Sequence, residues 1–224
     1  MDAAESRQME ARGTDAAAQR NALAKRAGAT GLFRQAIRRL SDYVERAPNG
    51  THAIEARYLI AESWRQAAKY PRKLRDVEPT QARRVALTRQ MQSDLQAAAT
   101  QHEALQQLLN KRQQKHTLGA LERRFLRNTY FARADALFDL GDYKQAIKAY
   151  STATNRYQQE PEALEAFMQI ASCYRRLQAP EQARSTVMHA IAVLSRIRQD
   201  AEFTRTTRYS RDQWNQLLTW LAKW

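Results

Sequence analysis

The side chains able to do chemistry are present in this 224-residue chain, but they do not form constellations. His52, His102, His116 and His189 lie far apart, with no paired spacing on one helix face. No His-Glu-x-x-His run, cysteine pair or glycine-rich phosphate loop occurs. Asp135 and Asp139 are one helical turn apart and could share a proton or a cation. The plainer expectation is two exposed carboxylates on one helix. Cys173 is the only cysteine, which excludes an intramolecular disulfide. It is expected to be a buried structural thiol. His102 falls on an apolar seam and should pack there, and His116 suits a cation at a helix end. No catalytic residue, metal ligand or cofactor is assigned, and the expectation is a protein that is not an enzyme.

The elements carrying these residues should be helices. Glycine and proline are scarce, all five prolines fall at apparent helix boundaries, and no β-branched run alternates with polar residues for strand length. Two stretches spell the same helical hairpin. In the first, Ala134, Leu137 and Phe138 lead to Gly141-Asp142-Tyr143, then Ala146, Tyr150, Ala153 and Pro161. In the second, Ala171, Cys173 and Tyr174 lead to Leu177, then Ala183, Val187 and Ala190. Ala146 and Ala183 are 37 residues apart, a period proper to stacked repeat arrays. Small residues let two helices approach, and the large ones between them fill the grooves. Gly141 should end one helix and Asp142 cap the next. A hairpin of this kind cannot bury its apolar face alone, so neighbours must stack.

The pattern reaches backwards. Gly31-Leu32-Phe33 with Ala36, Ile37, Leu40, Tyr43 and Pro48 looks like the second half of a unit. Ala56, Ile60, Ala61 and Trp64, followed by Tyr70, look like the first half of the next. The alanine expected at position 73 is a lysine, and the spacing implies an interruption of about one unit.

This order of small and large residues resembles the tetratricopeptide repeat family, most clearly over 128–194, less over 31–70 and least over 14–30. The turn Pro48-Asn49-Gly50 followed by Ala53, Ala56 and Ala61 is also similar to bacterial cell-envelope members of that family. The resemblance implies an all-α, tetratricopeptide-like α-solenoid of helical hairpins, here interrupted by a long antiparallel helix pair. It also implies a concave groove lined by the first helix of each unit: Glu55, Tyr58, Glu62 and Arg65; then Phe131, Asp135 and Phe138; then Met168, Ser172, Arg175 and Arg176. Some members clamp a partner's terminal carboxylate there with lysine and asparagine. The corresponding places hold Phe131, Asp135, Met168 and Ser172, so that clamp is not expected. The aromatics Phe131 and Phe138 have an alternative use, packing within the array.

The interruption carries the charge. The chain is net +14, and residues 72–127 hold twelve basic against five acidic side chains. Met91, Leu95, Ala98, His102, Leu105 and Leu109 alternate in steps of four and three, a coiled-coil type of seam. No breaker occurs between Pro79 and Lys115, enough chain for about 55 Å of helix. Gly119 offers a bend, and a helix from about Leu121 would run back. Arg72, Lys73, Arg75, Arg83 and Arg84 mark the base of this pair; Lys111, Arg112, Lys115, Arg123, Arg124 and Arg127 mark its tip. Such clusters suit an acidic partner, or else a solvated helix surface. Only Phe125 lies among the tip cations, so single-stranded nucleic acid lacks stacking platforms.

The end of the chain is aromatic. Trp214, Leu217, Leu218 and Leu221 share a face, with Trp220 and Trp224 beside it and Arg205, Arg208 and Arg211 before it. A helix closing the open end of the array accounts for this. An interfacial helix on an anionic membrane is the alternative. No apolar span reaches the ~20 residues of a membrane helix. A complete chain would be cytoplasmic; a processed or excised piece would suit the cell envelope.

The expected organisation is a polar lead (1–19), an N-terminal repeat region (20–71), a basic long-helix insertion (72–127), two clear repeats (128–194) and a capping segment (195–224). The expected function is a non-catalytic scaffold binding a protein or peptide in the groove. The alternative is charge-driven binding of nucleic acid or anionic membrane through the basic insertion and the tryptophan-rich end. Nucleic acid and membrane rank below protein as partners.

Overall fold

The computed structural model describes residues 18, 21–22, 28 and 30–223. The lead placed at 1–19 lies outside the described residues apart from Ala18, as do most of 14–30 and Trp224. Among the described residues helix is the only regular structure. The chain divides into two compact units, Met1–Gln101 and His102–Trp224.

In the first unit, α1 spans 30–46 and α2 spans Ala53–Ala67. Between them the Gly50 N–H donates to the Ala47 carbonyl at 3.0 Å, and the Ala53 N–H to the Gly50 carbonyl at 2.9 Å. A β-carbon on Gly50 would come within 2.9 Å of the Tyr43 hydroxyl and 3.2 Å of the Ala47 carbonyl oxygen, so the turn needs glycine for space. Ile37 and Val44 of α1 pack with Ala56 and Ile60 of α2, flanked by Leu40, Tyr43 and Trp64. All of these except Val44 are among the residues whose order suggested two half-units.

α3 (Lys69–Val77) then continues with no reversal, because Ala68 between the helices keeps right-handed helical geometry, φ −67° and ψ −21°. Pro71 accounts for the break: it has no N–H for the Ala67 carbonyl, and its ring crowds that carbonyl. Lys73, where the repeat alanine is missing, falls inside this short helix.

α4 runs from Gln81 to Lys115 without a break. All six seam residues from Met91 to Leu109 are 6 % exposed or less. The seam is therefore spent inside the fold and offers no apolar stripe for self-association. His102 lies on it fully buried, and Asp94, only 1 % exposed, is held by the Arg34 guanidinium at 2.6 Å.

In the second unit, α5 (Ala120–Leu140) starts at Gly119, whose N–H donates to Glu122 Oε2 at 2.9 Å. Three contacts fix its direction against the end of α4. Arg133 pairs with Glu103, Gln106 donates to the Thr129 carbonyl, and Arg112 pairs with Glu122. Numbers fall on one helix as they rise on the other, so the two are antiparallel.

Two hairpins follow: α5 with α6 (Tyr143–Arg156), then α7 (Glu162–Arg176) with α8 (Pro180–Arg196). Gly141 ends α5 in the left-handed region, φ +84°, and Asp142 caps α6 by accepting the Gln145 N–H at 3.2 Å. Gly141→Ala is expected to cost about 1 kcal/mol, because any β-carbon is strained at that φ. The denaturant midpoint of the second unit measures it. Ala146, Ala183 and Ala190 are all buried in one core with Tyr150, Leu164, Phe167 and Val187, so the two alanines one period apart, Ala146 and Ala183, are both buried.

The chain closes with α9 (Phe203–Thr206) and α10 (Arg211–Leu221). Trp214 and Leu218 are buried in the same core, and the Trp214 indole N–H donates to Thr207 Oγ1 at 3.0 Å. The Arg211 guanidinium donates to the Leu194 and Ile197 carbonyls at 3.0 and 2.8 Å, satisfying acceptors at the end of α8. Trp214 and Arg211 thus serve packing and capping rather than a membrane surface. Trp220 remains 54 % exposed.

Candidate partner-binding pocket

The expected groove residues divide by unit. In the first unit, Glu62 accepts from Arg65 at 2.6 Å and from Gln66 at 2.6 Å, and Tyr58 is half-buried. In the second unit the first-helix positions come from α5 and α7, and the two hairpins use them differently.

The α5 set is filled from within. Phe131 lies against Tyr157 with ring centroids 6.0 Å apart, and Phe138 meets Tyr143 edge-on at 5.7 Å. Asp135 Oδ1 accepts the Tyr150 hydroxyl at 2.6 Å. Burial, then Asp135 itself, holds the Tyr150 phenol above its ordinary range, so it stays a protonated donor. Asp135 and Asp139 are both half-buried, where two exposed carboxylates were expected. The first hairpin therefore uses its aromatics for packing.

The α7 set is hollow. Met168, Ser172 and Arg175 line a pocket of about 250 Å³ with Ala171, Pro180, Ala183, Arg184, Val187 and, from α10, Leu221. The repeat explains the hollow. One period after Phe131, Phe138, Tyr143 and Tyr150 stand Met168, Arg175, Pro180 and Val187. These four aromatics are each replaced by a residue without an aromatic ring to fill that space. One period after Asp135 stands Ser172, whose hydroxyl donates to the Met168 carbonyl at 2.9 Å instead of meeting a phenol. Arg175 and Arg184 are exposed at this pocket, and neither forms an ion pair among the described residues.

Sequence reasoning chose Met168, Ser172 and Arg175 but missed Arg184, Val187 and Leu221 as lining. The signal lay in the period itself: setting Val187 against Tyr150 shows the lost volume. Cys173, fully buried beside this helix, has its thiol pushed up to about 11 by burial and is inert, as its packing suggested.

The basic tip divides too. Arg112 pairs with Glu122 at 2.9 Å, Arg123 donates to the Leu118 carbonyl at 2.6 Å, and Arg127 meets Glu162 at 3.3 Å. These three tie elements of the second unit together. Lys111, Lys115 and Arg124 are exposed and form no ion pair among the described residues. No group of three metal-ligating side chains occurs among the described residues, and no helix there is long and apolar enough to cross a membrane.

Residues 128–160, which hold the later part of α5 and all of α6, match the family model of the tetratricopeptide repeat. One period on, α7 and α8 carry buried Ala171, Ala183 and Ala190 where the α5–α6 hairpin has Ala134, Ala146 and Ala153. No curated protein matches the chain. Among solved structures the chain is similar to the MamA protein, at 15 % identity and a TM-score of 0.36, over 81 % of this chain and 91 % of that one. Repeats of this family are, as a class, modules for protein–protein interaction.

Proposed function

We propose that the chain is a non-catalytic scaffold whose second unit holds a protein or peptide segment in the pocket of the α7–α8 hairpin. The observation that carries this is the exchange of Phe131, Tyr143 and Tyr150 for Met168, Pro180 and Val187 one period on, which opens about 250 Å³ beside two uncompensated guanidiniums. Methionine, alanine, valine and leucine suit an apolar anchor side chain, methionine adapting to its shape. Arg175 and Arg184 suit a carboxylate next to that anchor in the partner. The partner segment is therefore apolar and acidic. The free cations Lys111, Lys115 and Arg124 favour a second reading, an acidic partner at the tip of the helix pair, whose binding would fall steeply with salt.

The test refills the pocket by the protein's own recipe. Ser172→Asp with Val187→Tyr copies the Asp135–Tyr150 pair into the second hairpin. Peptides selected by display on the natural chain are expected to lose about tenfold or more in affinity for this double variant, with melting unchanged or raised. Met168→Trp, which blocks the same space by another route, should act alike. Selected peptides that bind both variants undiminished, or that depend on salt alone, would overturn the pocket reading.

A further inference from the structure

The first unit contains a second concavity of a different chemistry. It is an open groove of about 550 Å³ between α3 and the start of α4, lined by Arg75, Asp76, Gln81, Arg84, Val85, Thr88, Arg89 and Gln92. On α4 the lining residues recur every three or four positions, so they share one helix face. Val85 is the single apolar side chain among them, so no pocket for a peptide's apolar anchor exists there. The remainder are donors and charges.

Their pairing is uneven. Arg75 is compensated: its Nε and Nη2 both donate to Asp76 Oδ1, at 3.0 and 2.7 Å. Arg84 is held but not compensated. Its Nε and Nη2 donate to the neutral Gln81 Oε1 at 3.2 and 2.9 Å, which fixes the guanidinium and leaves its charge in place. Arg89 is exposed and forms no ion pair among the described residues. The first turn of α4 itself carries no acidic residue, and the carboxylate just before it, Glu78, is engaged by the Thr80 N–H at 3.1 Å and by Arg83 at 3.4 Å rather than by Arg84 or Arg89. The groove thus presents two net guanidiniums, one of them hydrogen-bonded to Gln81, with the Thr88 and Gln92 side chains around them.

We propose that this groove binds phosphate groups, with Arg84 and Arg89 as the principal contacts. A guanidinium is planar and presents parallel N–H groups that match phosphate oxygens two at a time. The lining side chains are mostly donors and cations, and the one lining carboxylate, Asp76, is already paired with Arg75 at 2.7 Å. This site is independent of the peptide pocket: it uses other residues and another chemistry.

Inorganic tripolyphosphate titrated into the full chain is the probe, read by calorimetry and by the methyl signal of Met91. That methionine is buried, with its sulfur 4.0 Å from the Arg75 guanidinium, and reports on the groove locally. Saturable binding that shifts Met91 is expected, weakening about tenfold or more in Arg84→Gln/Arg89→Gln. Both residues are exposed, so folding should be unchanged, as circular dichroism can verify. Arg84→Lys, which keeps charge and loses the fork, should fall between. Citrate, of similar charge without phosphate, should bind at least about tenfold more weakly. Vesicles with and without phosphatidic acid identify the source. Binding confined to phosphatidic acid vesicles and lost in the double variant assigns the phosphate to a membrane headgroup. Binding of the free ion assigns it to a soluble ligand. The proposal is overturned if neither binds, if the double variant binds as well as the natural chain, or if citrate matches tripolyphosphate.

Discussion

Trp214→Ala should lower the stability of the second unit by about 3–5 kcal/mol, the range for removing a buried indole. Trp214 is 2 % exposed, shares its core with Val187, Leu194 and Phe203, and meets the Tyr209 ring edge-on at 5.2 Å. The alanine would leave a cavity and strip the Thr207 hydroxyl of its indole donor, so transfer, packing and hydrogen-bond losses add. The effect is large because α10 covers apolar surface that α8 would otherwise show to solvent. Trp220→Ala is the matched control: that side chain is 54 % exposed and should cost far less. Urea unfolding followed by circular dichroism measures both. Equal losses for the two tryptophans would contradict a packing role specific to Trp214.

Arg34→Ala should produce the largest effect in the first unit. Asp94 is 1 % exposed, and its other carboxylate oxygen has no hydrogen-bond partner among the described residues. Burial holds its carboxyl above the ordinary carboxylate value of 3.8, while Arg34 pulls the other way. Removing the guanidinium leaves a buried charge uncompensated, at a cost of about 3 kcal/mol near neutral pH. That is the low end of the usual range, since the Arg34 side chain is 36 % exposed and the pair is partly screened.

The pH dependence has a definite sign. Without Arg34 the folded protein holds the Asp94 proton more tightly than the unfolded chain does. Between the unfolded value and the raised folded one, the folded state then binds more protons, so stability falls as pH rises through that window. The deficit of Arg34→Ala should therefore be greatest near neutrality and shrink on acidification towards pH 4. Adding Asp94→Asn should recover most of it at pH 7. A deficit that grows with acid would show that the pair does not behave this way.

The hairpins were legible because their residues obey local rules. Gly141 needs a positive φ, Asp142 a helix start, and Ala146 and Ala183 a close helix crossing, so each constrains its neighbourhood regardless of what lies far away. The long helix was legible because nothing between Gln81 and Lys115 can break one. The continuation of α2 into α3 was not. Pro71 marks a break, but whether the chain reverses there depends on the backbone at Ala68, which no side chain announces. The divided tip was hidden for another reason. Arg127 meets Glu162, and Arg123 the Leu118 carbonyl, only once the helices have packed, so a cluster of like charges in sequence conceals which of them are already engaged. The pocket lies between these cases: it is an absence of volume, visible only when Val187 is set against Tyr150 across one period.

The most direct test of the central claim, that the second hairpin is a repeat opened to receive a partner side chain, uses methionine methyl resonances. Met168 lines the pocket, whereas Met188, on the same hairpin, is 54 % exposed and outside its lining. A selected apolar, acidic peptide should shift the Met168 methyl strongly and leave Met188 in place, and Ser172→Asp/Val187→Tyr should abolish the shift. Binding that moves Met188 and not Met168, or that survives in the refilled hairpin, would contradict it.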